Sequence, residues 1–194
     1  MKLYYGAALA ACLLAGCGEA AAPTNNDTGN NLEASSTMPA EQPASVAAEA
    51  SAATNASGYL AMAGAGDLFE IESSRAILAK QPDQAVADFA RSMVDAHQQS
   101  TAKLKKAATD AGLTAPAPAL EPDQQAKLDS IKSADGEAAT TAYLTAQREA
   151  HTKALALHQN YAEGGDAPAL KTAAGEIASV VQHHIDMLAK LPGA

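Results

Sequence analysis

Three histidines, His97, His151 and His184, each fall on the apolar stripe of a different helical stretch, where an ordinary core would carry hydrocarbon. Imidazole is the commonest metal ligand among side chains. Three such rings meeting inside one bundle would offer a nitrogen-rich site for Zn, Cu or Fe. A carboxylate from Glu72, in the acidic run Asp67-Leu68-Phe69-Glu70-Ile71-Glu72, is expected to complete a four-ligand set. The plainer alternative makes the histidines neutral core or groove residues, hydrogen-bonded to Gln147, Tyr143, Asp95 or backbone carbonyls. A di-iron carboxylate centre fails on spacing. It needs Glu three residues before each ligating histidine, and those positions hold Val94, Arg148 and Val181.

Other chemistry finds little support, and no catalytic residue is expected. Asp95 and His97 are two apart, so on a helix they face different sides and form no acid–base pair. His158, at the far end of one stripe, and His183, beside the inward His184, are read as edge or surface residues. No serine sits in a nucleophile elbow and no glycine run could cradle phosphate. Lys103, Lys105 and Lys106 read as a solvated face near a helix C-terminus, where positive charge suits the dipole.

The elements that must position the histidines follow from periodicity. Leu60, Gly64, Leu68, Ile71, Arg75 and Leu78 recur at helical steps and predict a first helix from about Tyr59 to Lys80, ahead of Pro82. Pro82 is expected in the first turn of a second helix carrying Val86, Phe89, Ala90, Met93, Val94, His97 and Leu104, ended by Gly112. After a proline-rich connection, Ala126 to Ile131 predicts a short helix before Asp135-Gly136. A third long helix follows to Glu163, with Thr140, Tyr143, Leu144, Gln147, His151, Leu155 and His158 on its inward stripe, until Gly164-Gly165. Asp166 is read as the N-cap of a last helix with Leu170, Ala173, Ile177, Val181, His184 and Leu188 inward, ending near Pro192-Gly193.

No period-two run occurs, so the fold class is all-α: an antiparallel four-helix bundle over residues 58–192. Heights suit a shared site for two of the rings. His97 lies 15 residues before Gly112 and His151 lies 15 after Gly136. His184 is offset from His151 by about one turn, roughly 6 Å, and Glu72 is less well matched. With two Phe, no Trp and abundant Ala, the core must be built from small side chains that let helices approach closely.

The N-terminal part is of another kind. Lys2, an apolar run and small residues lead to Leu14-Ala15-Gly16-Cys17, which resembles the lipobox of a lipoprotein signal peptide, here residues 1–16. The resemblance implies acylation of Cys17 and a membrane partner through that lipid. Residues 17–57 then form a disordered Ala/Pro/Asn/Ser/Glu tether. Gly18 follows the cysteine where an aspartate would resemble an inner-membrane retention signal, so the expected location is the periplasmic face of the outer membrane. Cys12 lies in the removed segment, leaving no disulfide or cysteine–metal site. A net charge of −9 argues against nucleic acid as a partner.

Phe89-Ala90-Arg91-Ser92-Met93-Val94-Asp95-Ala96-His97, then Tyr143-Leu144-Thr145-Ala146-Gln147 with His151, then His184, resemble domain-of-unknown-function family 4142. The match runs from about Tyr59 to Leu191. The resemblance implies a ferritin-like four-helix bundle, often exported, with a glutamate near Glu70 or Glu72 in the first helix; it implies no reaction. The leading functional expectation is therefore a lipid-anchored, non-enzymatic envelope protein that binds a partner or serves a stress role. The rival is a periplasmic metal-binding protein or degenerate metalloenzyme using the inward histidines.

Overall fold

A computed structural model describes residues 53–191. Cys17, the expected signal segment and most of the expected tether lie outside them. The described chain is all-α: four long helices, α1 (Ala56–Leu78), α2 (Gln84–Asp110), α4 (Gly136–Gly164) and α5 (Pro168–Leu188), with the short α3 (Pro122–Ser133) between them. None of these helices is long and apolar enough to cross a membrane.

Local chemistry sets the ends. Asn55 caps α1, its Oδ1 accepting the Gly58 amide at 2.8 Å. After α1, Gln81 adopts a φ of 53° ahead of Pro82, which forces the chain round. Pro82 stays outside α2, whose N-cap is Asp83, rather than entering its first turn. Gly112, at φ 71°, ends α2 as the glycine signal predicts. A capping box of Glu121 and Gln124 starts α3. The expected cap Asp166 does not cap α5. Ala167 holds that position with Pro168 at the first turn, and the Asp166 carboxylate instead accepts the Tyr161 hydroxyl at 2.9 Å.

The apolar interior is divided into two clusters. One gathers Tyr59, Leu60, Leu104, Tyr161, Leu170, Ile177 and Val181 among alanines. The other gathers Phe69, Ile77, Phe89, Met93, Tyr143, Leu144 and Leu188, with Leu128 and Ile131 of α3. Following the chain, α1 and α5 pass from the first cluster to the second, while α2 and α4 pass from the second to the first. The packed pairs α1/α2, α4/α5, α1/α4 and α2/α5 therefore run in opposite directions.

Between the two clusters lies a polar layer. Buried there are Asp67 and Glu70 from α1, His97 and Ser100 from α2, Gln147 and His151 from α4, and His184 from α5. On α2 the layer falls between Met93 and Leu104, and on α5 between Val181 and Leu188, so the helical repeat that builds the clusters also aims these side chains inward.

Candidate metal centre

One ring nitrogen from each of His97, His151 and His184 lies within 4.8 Å of the other two, and all three residues are buried. His151 Nε2 and His184 Nδ1 are hydrogen-bonded at 3.3 Å, a separation about equal to the edge of a tetrahedron drawn round an ion bonded to nitrogen at roughly 2.0–2.1 Å. Three atoms no more than 4.8 Å apart share a point within about 2.8 Å of each (4.8/√3). A displacement of roughly 0.7 Å per ring then reaches bonding distance. The one-turn offset anticipated for His184 does not keep its ring from the other two.

The backs of two rings are fixed. Asp67 Oδ1 accepts from His97 Nδ1 at 2.8 Å, and Thr101 donates to Asp67 Oδ2 at 2.9 Å, holding that carboxylate in turn. The Gln147 carbonyl accepts from His151 Nδ1 at 2.8 Å. A carbonyl or carboxylate only accepts, so both Nδ1 atoms carry the hydrogen and both Nε2 atoms present lone pairs, that of His151 accepting from His184 Nδ1. This is the outer-shell arrangement that orients metal-bound imidazoles. His97 Nε2 has no hydrogen-bond partner although it is buried.

Glu70 is the most unusual group. Its side chain is 4% exposed, neither oxygen accepts a hydrogen bond, and one of them lies 3.6 Å from His151 Nδ1. Glu72, expected as the fourth ligand, is not brought to the histidines. It lies two residues on, about 200° round α1, and pairs with Arg75 at 3.0 Å with its side chain 37% exposed. The carboxylates of the layer are Asp67 and Glu70. The family resemblance offered Glu70 beside Glu72, but periodicity passed over both Asp67 and Glu70 because it followed the leucines; the steps Ala63, Asp67, Glu70, Ser74 and Ile77 trace the buried face.

Electrostatics separates the rings. Burial works against a charge on His97, but the Asp67 hydrogen bond and the Glu70 and Asp67 charges outweigh it and raise its pKa. Burial lowers that of His151, against the pull of Glu70 and with help from His97. His184 is pushed down to about 3 by burial and by the neighbouring His151, His97 and His183. Two of the three rings are thus held neutral. His158 is corrected from edge to core: it is buried, its Nδ1 meets the Tyr59 hydroxyl at 2.9 Å, and burial pushes its pKa to about 4. Its partner Tyr59 stacks on Tyr161 with ring centroids 3.8 Å apart.

Fold and site together define a helical protein with a buried three-histidine cluster backed by two carboxylates. The chain belongs to the family described as Domain of unknown function (DUF4142), whose model matches residues 41–191. No match to a curated protein and none to a solved structure was found.

Proposed function

We propose that this chain is a metal-binding protein whose helical domain holds one divalent first-row ion, Zn, Cu or Fe, on His97, His151 and His184. The observation that carries this is the convergence of three buried imidazole nitrogens within 4.8 Å. Charge balance supports it. Asp67 and Glu70 bring two negative charges into the layer, and a divalent ion on neutral imidazoles brings two positive ones. Buried carboxylates without a compensating charge are costly, and a bound cation removes that cost. Imidazole donors suit borderline ions better than the hard Mg²⁺ or Ca²⁺, which prefer oxygen.

The domain is anchored in this reading through lipid on Cys17 and faces the periplasm, most simply from the outer membrane. The support is Leu14-Ala15-Gly16-Cys17, followed by the polar stretch that separates the cysteine from α1. Its work there, in this reading, is metal binding or carriage.

The test is metal content. Residues 17–194 carrying Cys17→Ser, without a tag, are reconstituted with Zn²⁺ and dialysed, beside the His97→Ala, His151→Ala double variant. About one ion per chain, lost in the variant, is the expected result. A wild-type chain that retains no metal overturns the reading. Metabolic labelling with a radioactive fatty acid, lost in Cys17→Ser, tests the anchor.

A further inference from the structure

Resting on that reading, the surroundings of the cluster show what completes the coordination. Three imidazoles make only part of a four-coordinate shell. Glu70 does not supply the rest: it stands beside His151 Nδ1, the nitrogen turned toward the Gln147 carbonyl. Asp67 is engaged by His97 Nδ1 and Thr101. Both carboxylates therefore sit behind rings, and no fourth His, Cys, Asp or Glu joins the cluster among the described residues.

On the other side, His97 and His184 line a groove of about 460 Å³ between α2 and α5. Its wall also carries Ser100, one helical turn beyond His97 on the same face of α2. Ser100 is 8% exposed and its hydroxyl has no hydrogen-bond partner, like His97 Nε2. An unpartnered buried hydroxyl is uncommon, because losing water without replacement costs about 1–3 kcal/mol. A Lys103–Glu176 ion pair ties α2 to α5 at this groove.

We infer that the ion's fourth coordination position opens into the α2–α5 groove and takes a small exogenous ligand, water or a monodentate anion, which accepts a hydrogen bond from Ser100. The site is then of the open kind, able to exchange a ligand, rather than a closed structural one.

The probe is Co²⁺, whose visible bands report coordination, followed by azide. Residues 17–194 with Cys17→Ser are loaded with Co²⁺ and titrated, beside the same chain carrying Ser100→Ala. Expected are one Co²⁺ per chain in both, a saturable azide-dependent change in the visible spectrum, and azide binding about tenfold weaker in Ser100→Ala, the loss of roughly one hydrogen bond. Co²⁺ bound with a spectrum indifferent to azide overturns the inference and leaves the metal site standing. Equal azide affinity in both proteins also overturns it, since the open position would then lie away from Ser100. Failure of Co²⁺ to bind at all overturns the three-histidine site itself.

Discussion

Replacing Glu70 by glutamine separates a carboxylate that balances a metal from one that merely fills space. The oxygen lies 3.6 Å from His151 Nδ1, and an ion on the opposite nitrogen of that ring stands roughly 7 Å from it. A unit negative charge and a divalent ion at that distance attract by about 5 kcal/mol at an effective dielectric of 20, an upper bound. Outer-shell substitutions of this kind commonly reduce affinity 10- to 100-fold, and about 100-fold is expected here. Without metal the sign reverses. Glu70 accepts no hydrogen bond, so neutralising it at nearly constant shape relieves a buried charge and raises stability by about 1–2 kcal/mol. Competition with a chromogenic chelator gives the affinity, and urea denaturation of the metal-free and Zn²⁺-loaded protein gives both stabilities. Glu70→Gln should raise the metal-free value and shrink the gain on loading by about 3 kcal/mol, the linkage equivalent of a hundredfold weaker site. Unchanged affinity, or a metal-free protein that loses stability, refutes the charge-balance argument.

Three further outcomes follow from the same geometry. His158 and His184 are held near 4 and 3, so as pH falls below 6.5 the unfolded chain takes up protons that the folded chain refuses; the metal-free protein should lose about 3 kcal/mol or more between pH 6.5 and 4. His97, shifted the other way, adds stability below its unfolded value and loses it as pH rises through its folded one, so it offsets part of that loss; denaturation midpoints independent of pH over this range count against the burial of these rings. Tyr59→Phe removes the partner of His158 Nδ1 and should cost about 1–3 kcal/mol in urea denaturation, whereas an unchanged midpoint means the ring finds another partner. Gly165→Ala puts a Cβ 2.6 Å from the Tyr161 carbonyl oxygen and 2.7 Å from its ring, so calorimetry should register about 1–3 kcal/mol lost, while Gly66→Ala, with nothing within 4 Å, gains about 1 kcal/mol from helix propensity.

How much of this could be read from the sequence depended on what surrounded each residue. The histidines of α2, α4 and α5 were legible because large apolar neighbours mark their faces: Met93 and Leu104, Tyr143 and Leu144, Val181 and Leu188. The face of α1 was not. Leu68 and Ile71 are only half-buried and Arg75 is exposed, while Asp67, Glu70, Ser73 and Ser74 are buried. Hydrophobic periodicity treats such a face as solvent, and the two-residue error from Glu70 to Glu72 follows directly. The cap of α5 failed for a similar reason, since Asp166 had a competing local partner in Tyr161. α3 was visible as a short segment, but its contribution of Leu128 and Ile131 to the core depends on how it folds back against α1 and α4.

The failure on α1 is itself informative about function. Apart from two helix starts, local pattern and global fold agree over nearly all the bundle, and along the helices they part company where polar groups are driven inside, which is where a functional site is expected. A bundle whose apolar clusters lean on alanine and a few large side chains has a limited hydrophobic contribution to spare. Placing two carboxylates, three imidazoles and an amide in one layer, with Glu70 and His97 Nε2 left without hydrogen bonds, lowers the stability of the metal-free state and gives no packing in return. Apolar residues of similar volume would generally hold the helices as well or better. The layer makes physical sense if the state that must be stable contains a cation: the ion then converts the groups that weaken the empty bundle into its strongest cross-link among α2, α4 and α5.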